Sequence, residues 1–305
     1  MFRLVFAGIT GKEEETCESA VKFGALLAAK HGAGFAVLHV SAPLNREGSC
    51  VLQLPGEEDL AVRRDCVEDL CRRVMPAGLT ADVMIESGFL HVEVQKALRL
   101  MAPDLIVMGG HGDAERCRQE LGNSMDDAAL IVARNASCPV LIAPAGGVAF
   151  NGNFRRVLTV TNFSYASTPL MALANQMAEA GVADLRAFHP IALPHGAPLP
   201  PASALSKMIN RAAERLVNLG CVLRRPVTTG VREGEPAREI IKDAREYGAD
   251  LVVLATDEYG VAGGTEPSVA ARVLDGARYA VLLAGPQALA TQKIPGAAMA
   301  RRGAL

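Results

Sequence analysis

The chain has 305 residues, of which 50% are hydrophobic and 21% charged, and 31 Lys and Arg residues against 33 Asp and Glu residues give it a net charge of −2. No long basic block stands out in the sequence, so no electrostatic footprint for nucleic acid is visible. The apolar runs are shorter than the roughly 20 residues that span a bilayer. The length suffices for two domains, and we expect neither a nucleic acid nor a membrane as a partner.

The first half of the chain alternates short apolar segments with longer amphipathic ones. The predicted strands, in chain order, cover residues 4–7, 35–40, 81–85, 105–108 and 140–143. The predicted helices cover residues 13–30, 60–75, 91–101 and 125–134. Residues 41–58, which contain prolines and glycines, are predicted to form an irregular loop. The alternation of strand and helix predicts a parallel sheet with helices on both faces.

The second half repeats this pattern after a glycine-containing linker at residues 145–153. Its strands are predicted at residues 156–160, 184–189, 248–255 and 279–286, with a helix that opens at Gly234. A period of nearly half the chain indicates a duplicated domain rather than an array of short repeats. We therefore predict a first domain at residues 1–146, a second at residues 154–287 and a flexible tail at residues 288–305.

A glycine motif follows the fourth predicted strand. Its spacing is Gly109-x-x-Gly112-x9-Gly122, and Asn123 and Ser124 come directly before the helix predicted at residues 125–134. Glycines allow a ligand to approach the main chain, because no Cβ stands in the way. Free N–H groups and the positive end of a helix dipole favour phosphate. The motif therefore indicates a phosphate-binding loop.

This motif resembles the nucleotide-binding signature of the universal stress protein family, G-x2-G-x9-G-(S/T). The flanking residues 102–109 and 137–144 also match the family, although Asn123 stands where the family has Ser or Thr, with Ser124 directly after it. The resemblance implies two tandem flavodoxin-like (adenine nucleotide alpha hydrolase-like) domains of α/β class. Each would have a five-stranded parallel sheet in the order 3-2-1-4-5.

The resemblance also implies a ligand, ATP or AMP with or without Mg²⁺, at the carboxyl ends of strands one and four of the first domain. Main-chain N–H groups of residues 110–112 and 123–124 would hold the phosphates, and adenine would lie near Ile9 and residues 38–40. No catalytic residue and no metal ligand is predicted. The predicted binding residues are Ile9, Thr10, Leu38, His39, Val40, Met108, Gly109, Gly110, His111, Gly112, Gly122, Asn123 and Ser124.

The second repeat departs from the motif. Asp104 and Asp250 are 146 residues apart but Val140 and Val281 only 141, so its loop is five residues shorter. Ala255 replaces the first glycine, and carboxylates follow at Asp257, Glu258 and Glu266. Like charges oppose phosphate binding, so we expect no nucleotide in the second domain. Conversely, Asn162 occupies the position of the family's adenosine-contacting Asp, whereas residues 9–11 contain no acid.

The cysteines are seven, an odd number, without a Cys-x-x-Cys pair: Cys17, Cys50, Cys66, Cys71, Cys117, Cys138 and Cys221. This scatter favours reduced thiols over a disulfide framework or a zinc site, and residues 1–7 resemble a strand rather than a signal peptide. We therefore expect a cytoplasmic protein, in which Cys66 and Cys71 are buried. His39 and His189 stand at matching strand ends, where packing and shaping the adenine side of the pocket are the expected roles.

Three functions are compatible with this sequence. The first is a nucleotide-binding stress or regulatory protein, and the second is a slow ATPase or adenylyl-transfer enzyme, for which Asp113 and Glu115 are the nearby carboxylates. The third is a ligand-free interaction scaffold. His111 either lines the pocket or acts as an acid or phosphate ligand. The fifth strands of the two domains, residues 140–143 and 281–284, are predicted to pair within one chain, and a homodimer is the other expected assembly.

Overall fold

The computed structural model describes residues 2–10, 14–41, 44–45, 52–53, 55–110, 125–145, 150–192, 200–221, 223, 225–256 and 268–292. The chain divides into two compact units, which we call the first domain (residues 1–152) and the second domain (residues 153–305). The division falls inside the predicted linker. Within the described residues, no helix is long and apolar enough to cross a membrane.

The first domain contains every strand and helix predicted for it. Its strands are β1 (Leu4–Thr10), β2 (Gly34–Ser41), β3 (Leu44–Asn45), β4 (Leu52–Gln53), β5 (Ala81–Ser87), β6 (Leu105–Gly109) and β7 (Val140–Ala143). Its helices are α1 (Glu14–His31), α2 (Glu57–Val74), α3 (Leu90–Met101) and α4 (Met125–Asn135). The prediction of an irregular loop at residues 41–58 was wrong in part, because β3 and β4 form a short antiparallel pair there.

The sheet of the first domain is parallel, with strands in the order β5-β2-β1-β6-β7. Without the two-residue strands β3 and β4, this corresponds to the order 3-2-1-4-5. All five residues of β6 are buried, as are the four of β7. A strand covered by helices on both faces needs apolar side chains on both faces, which explains why these segments are unbroken apolar runs.

The second domain has the same architecture. Its strands are β8 (Arg156–Val160), β9 (Asp184–Ile191), β10 (Thr228–Glu233), β11 (Leu251–Ala255) and β12 (Ala280–Ala284). Its helices are α5 (Ser167–Gly181), α6 (Ala202–Cys221), α7 (Pro236–Tyr247), α8 (Val269–Gly276) and α9 (Pro286–Ala290). The strands are again parallel, in the order β10-β9-β8-β11-β12. The predicted flexible tail starts inside α9, where Ala288 and Leu289 are buried, so its start at residue 288 was wrong.

In both domains, an aspartate just before the fourth main strand accepts hydrogen bonds from the backbone at the start of the first strand. Asp104 accepts hydrogen bonds from the backbone N–H of Arg3 at 2.7 Å and of Leu4 at 3.2 Å. In the second domain, Asp250 accepts from Arg155 N–H at 2.7 Å and from Arg156 N–H at 3.0 Å. The two halves of the chain therefore share this stabilising contact as well as their sequence pattern.

The turn from the third main strand into the next helix is also repeated. Gly88 and Gly234 have φ angles of 152° and 146°. A Cβ on Gly88 would lie 2.7 Å from Glu93 Oε1, and a Cβ on Gly234 would lie 2.8 Å from Glu239 Cγ. Both the backbone conformation and the close approach of a glutamate therefore require glycine at this turn.

The described cysteines, which exclude Cys50 and Cys117, are all free thiols. Cys17, Cys71 and Cys138 are buried, and burial raises the pKa of Cys71 to about 11 and that of Cys138 to about 12. These two thiols are therefore protonated at neutral pH and chemically inert. Cys66 is exposed, so the prediction that it is buried was wrong.

Candidate functional site

The carboxyl ends of β1, β2 and β6 bring together predicted site residues from three parts of the chain. Met108 lies beside Gly8, while Ile9 lies beside His39 and Thr10 beside Val40. The chain moves from β1 outward to β2 and β5, and returns to β6 on the other side of β1. Parallel α/β sheets bind ligands where the strand order reverses in this way. The edge between β1 and β6 is therefore the candidate site of the first domain.

The apolar residues predicted at this edge form a closed floor. The side chains of Ile9, Leu38, Val40 and Met108 are at most 2% exposed. They pack in the core beneath the strand ends. Their side chains would therefore not contact a bound ligand directly, but would hold in place the backbone that does. Gly109 ends β6 beside Ala143 of β7.

His39 is a neutral, buried histidine. Its side chain is 3% exposed, and its Nδ1 lies 3.5 Å from the hydroxyl of Ser41. Burial lowers its pKa to about 4, and the positive charge of Arg63 acts in the same direction. At neutral pH the ring is uncharged and enclosed. This agrees with a role in packing and argues against acid–base chemistry by this residue.

Gly110 does not have the role predicted for it. Its N–H donates to the carbonyl oxygen of Ala143 at 2.8 Å, so the prediction that this N–H holds a phosphate was wrong. A Cβ at this position would lie 2.8 Å from Ile142 Cγ2 and 3.2 Å from the Ala143 carbonyl oxygen. Glycine is needed here because β6 and β7 approach each other closely, and the sequence alone cannot distinguish that need from ligand access.

The remaining predicted site residues lie outside the described residues: His111, Gly112, Gly122, Asn123 and Ser124. So do the carboxylates considered for an enzyme, Asp113 and Glu115. The structure describes the strand before the motif and the helix after it. β6 ends at Gly109, the first motif glycine, and α4 begins at Met125, directly after Ser124. A strand end and a helix start therefore bracket the motif, as a phosphate-binding loop requires.

The corresponding edge of the second domain is built differently. Thr256 takes the place of Gly110, with its N–H donating to Ala284 O at 3.1 Å. A cavity of about 90 Å³ lies there, lined in part by Asn162, Ala255 and Pro286. Small-molecule sites usually measure roughly 300–1,000 Å³, so this cavity is too small for a nucleotide. Residues 257–267, which carry the predicted carboxylates, lie outside the described residues.

The loop after β8 is held by its own hydroxyl and amide groups. Thr161 Oγ1 accepts from Phe163 N–H at 3.0 Å and lies 2.5 Å from Ser167 Oγ. Asn162 Oδ1 accepts from Ser164 N–H at 2.9 Å. The amide that stands at the family's acidic position is therefore engaged in a local turn.

Two aromatic rings and a guanidinium meet beside this loop. The Phe163 ring lies 4.4 Å from the His189 ring and 4.1 Å from the guanidinium carbon of Arg215. His189 Nδ1 donates to the carbonyl oxygen of Thr161 at 2.7 Å, which places the proton of the neutral ring on Nδ1. Burial lowers the pKa of His189, and Arg215 adds to this, against the opposing effect of that hydrogen bond. Arg215 was not predicted as a site residue, because a single arginine on an amphipathic helix has no sequence pattern that distinguishes it from an ordinary surface arginine.

Comparison with known proteins identifies the family. The sequence model described as "Universal stress protein family" matches residues 1–144 and, a second time, residues 153–284. The chain belongs to the universal stress protein family. Its two matches show that it is a tandem member with two such domains. No curated protein sequence matches the chain significantly.

Two solved universal stress proteins share the fold over nearly the whole chain. One from Archaeoglobus fulgidus DSM 4304 is 16% identical, with 92% of this chain and 96% of that chain covered and a TM-score of 0.64. A putative universal stress protein from Pseudomonas aeruginosa UCBPP-PA14 is 18% identical, with 94% and 95% covered and a TM-score of 0.63. A universal stress protein from Archaeoglobus fulgidus in complex with dAMP is 19% identical, with 42% and 95% covered and a TM-score of 0.29.

Proposed function

We propose that the protein is a cytoplasmic universal stress protein that binds an adenine nucleotide, ATP or AMP, in its first domain and has a regulatory or stress-response role. One observation carries this proposal. The motif Gly109-x-x-Gly112-x9-Gly122 starts at the last residue of β6, beside β1 and at the reversal of strand order, and ends just before α4. Both ends of the motif therefore belong to elements that favour a bound phosphate.

The donors proposed for the phosphates are the main-chain N–H groups of His111, Gly112, Asn123 and Ser124. Gly110 is excluded from this set, because its N–H is bonded to Ala143. The base would lie over the ends of β1 and β2, near Ile9 and Val40. A solved universal stress protein binds dAMP and another binds cAMP, and the motif is our reason for assigning the same ligand class here.

We propose that the second domain binds no nucleotide. Two features of the described residues support this. The Asn162 amide is engaged in the turn before α5. The cavity at this edge measures about 90 Å³.

Calorimetric titration of the full chain with ATP and with AMP tests this proposal. Gly122→Asp introduces a carboxylate beside the proposed phosphates, and an unfavourable charge contact of roughly 1–3 kcal/mol weakens binding about 5- to 150-fold. Gly32→Asp is the matched control, because Gly32 has open space around it and lies at the amino end of the sheet, just before β2. Gly32 has φ 58°, a conformation that Asp tolerates better than most residues.

Unchanged affinity in Gly122→Asp rejects the site. Equal losses in Gly122→Asp and Gly32→Asp reject it as well, because they reflect net charge alone. Absence of nucleotide binding in the unaltered chain favours the ligand-free scaffold instead.

The assembly stays a prediction. Both the pairing of residues 140–143 with residues 281–284 and the homodimer follow from resemblance to the family. Multi-angle light scattering of the purified chain measures its mass in solution and decides between a monomer and a homodimer.

A further inference from the structure

A second and larger cavity lies in the second domain, between the start of α5 and the second half of α6. Its volume is about 360 Å³, which is within the range of small-molecule sites. Phe163, Ser164 and Thr168 line one side, and Arg215 and Asn218 line the other. The nucleotide proposal uses none of these residues, which all belong to the other domain.

The lining of this cavity suits an anion. Among the described residues that line it, the side chains include one cation, hydroxyl and amide donors, and no carboxylate. In the described part of the chain, the Arg215 guanidinium contacts the Phe163 ring and makes no ion pair with a carboxylate. An unpaired guanidinium beside hydroxyl and amide donors offers a bound oxyanion both charge and hydrogen bonds.

The guanidinium is also held in place before any ligand arrives. Its carbon lies 4.1 Å from the centre of the Phe163 ring. Phe163 has φ 63°, a costly conformation for a bulky residue, and the hydrogen bond from its N–H to Thr161 Oγ1 stabilises that conformation. A stacked arginine loses less side-chain entropy when a ligand binds, so less of the favourable charge interaction is offset and the affinity is higher.

We propose that this cavity binds a small organic anion through a phosphate or carboxylate group, with Arg215 as the charged anchor and Thr168 and Asn218 as neutral donors. The planar guanidinium pairs with two oxygens of either group. Leu219 and the edge of the Phe163 ring provide apolar surface for the body of the ligand. The ligand is therefore an anion with a small apolar part rather than a free inorganic ion.

The test is a titration of the isotope-labelled full chain with phenyl phosphate and with benzoate, followed by two-dimensional NMR. The Gly122→Asp background weakens binding at the proposed phosphate loop of the first domain, and the amide signals of second-domain residues report the cavity separately. We expect saturable shifts of the backbone amide signals of Thr168, Arg215 and Asn218. Tighter binding of phenyl phosphate assigns the site to phosphorylated ligands, and tighter binding of benzoate assigns it to carboxylates. Equal affinities support a site for oxyanions in general.

Two arginines on the same helix provide the matched pair of variants. Arg215→Gln removes the anchor and is expected to weaken binding at least tenfold. Arg211→Gln removes the same charge one turn earlier, at an exposed residue outside the cavity lining, and should leave the affinity within twofold. Thr168→Val keeps the side-chain volume and removes one donor, so about fivefold weaker binding is expected.

The proposal is overturned if neither probe produces saturable shifts at these amides, or if Arg211→Gln weakens binding as much as Arg215→Gln. The amide spectrum of each variant reports whether it is folded. If Arg215→Gln does not fold, the Thr168→Val variant decides, and an affinity equal to that of the unaltered chain overturns the proposal.

Discussion

The two domains keep the same contacts at the amino edge of the sheet and differ at the carboxyl edge. Asp104 and Asp250 tie down the first strand in the same way. At the opposite edge, Gly110 and Thr256 make the same backbone hydrogen bond but differ in their side chains. Contacts repeated in both halves are requirements of the fold. The places where the halves diverge are where function should be sought, and they include the proposed nucleotide edge of the first domain and the proposed anion cavity of the second.

The repeated aspartate contacts predict the largest effect of a single substitution. Asp104→Ala and Asp250→Ala each leave two backbone N–H groups without their charged acceptor, and bonds to charged groups contribute about 1.5–3 kcal/mol each. We expect each variant to lower the free energy of unfolding of its own domain by about 3 kcal/mol, measured by urea denaturation. Asp82→Ala, at an exposed strand position, is the control. The comparison fails if the two losses are unequal, or no larger than that of the control.

The buried His39 of the first domain and the half-buried His189 of the second predict a pH dependence that differs between the domains. The pKa of His39 is about 4 in the folded chain and about 6.5 when unfolded, so between these values only the unfolded chain binds the proton. Stability is therefore fully present above pH 6.5 and falls as the pH drops toward 4, by up to about 3 kcal/mol. The pKa of His189 is also lowered, but its bond to Thr161 opposes the shift, so its contribution should be smaller.

His39→Gln should flatten the stability of the first domain between pH 6.5 and 4, and His189→Gln should change that of the second domain less. Thermal unfolding measured across this pH range gives both values. A stability loss on acidification that is unaffected by His39→Gln contradicts the assignment.

Exchanging Gly110 and Thr256 between the two domains should lower stability by less than the substitutions above. The loss should be larger for Gly110→Thr than for Thr256→Gly. Gly110→Thr forces atoms against Ile142 and the Ala143 carbonyl group, and such overpacking costs about 1–3 kcal/mol. Thr256→Gly removes a buried side chain and adds backbone freedom, with a cost of about 1 kcal/mol. Differential scanning calorimetry compares the two variants. If Gly110→Thr does not destabilise the chain, the close approach of β6 and β7 does not explain this glycine.

The fold could be predicted because hydrophobic patterns report burial directly. The run at residues 105–108 and the strand at residues 140–143 are buried on both faces, and the sequence places both within one residue of the observed bounds. The error at the carboxyl terminus has a physical reason. α9 is only five residues long, and Gly, Pro and Ala around it are residues typical of a frayed tail.

The candidate site could be predicted only where the motif is continuous in the sequence. The spacing of Gly109, Gly112 and Gly122 indicates a phosphate loop, but the role of Gly110 depends on the position of Ile142 in a neighbouring strand. The stacking of Arg215 on Phe163 joins residues that are far apart in the chain. Tertiary contacts of this kind leave no local pattern in the sequence.

The most direct test of the central claim is the number of nucleotides bound per full-length chain. Equilibrium dialysis with radiolabelled ATP over a range of concentrations measures both this number and the dissociation constant. We predict one equivalent for the unaltered chain and a dissociation constant raised about 5- to 150-fold in Gly122→Asp, because only the first domain carries the motif between a strand end and a helix start. Two equivalents, or one equivalent whose dissociation constant is unchanged in Gly122→Asp, would contradict the division of roles between the domains.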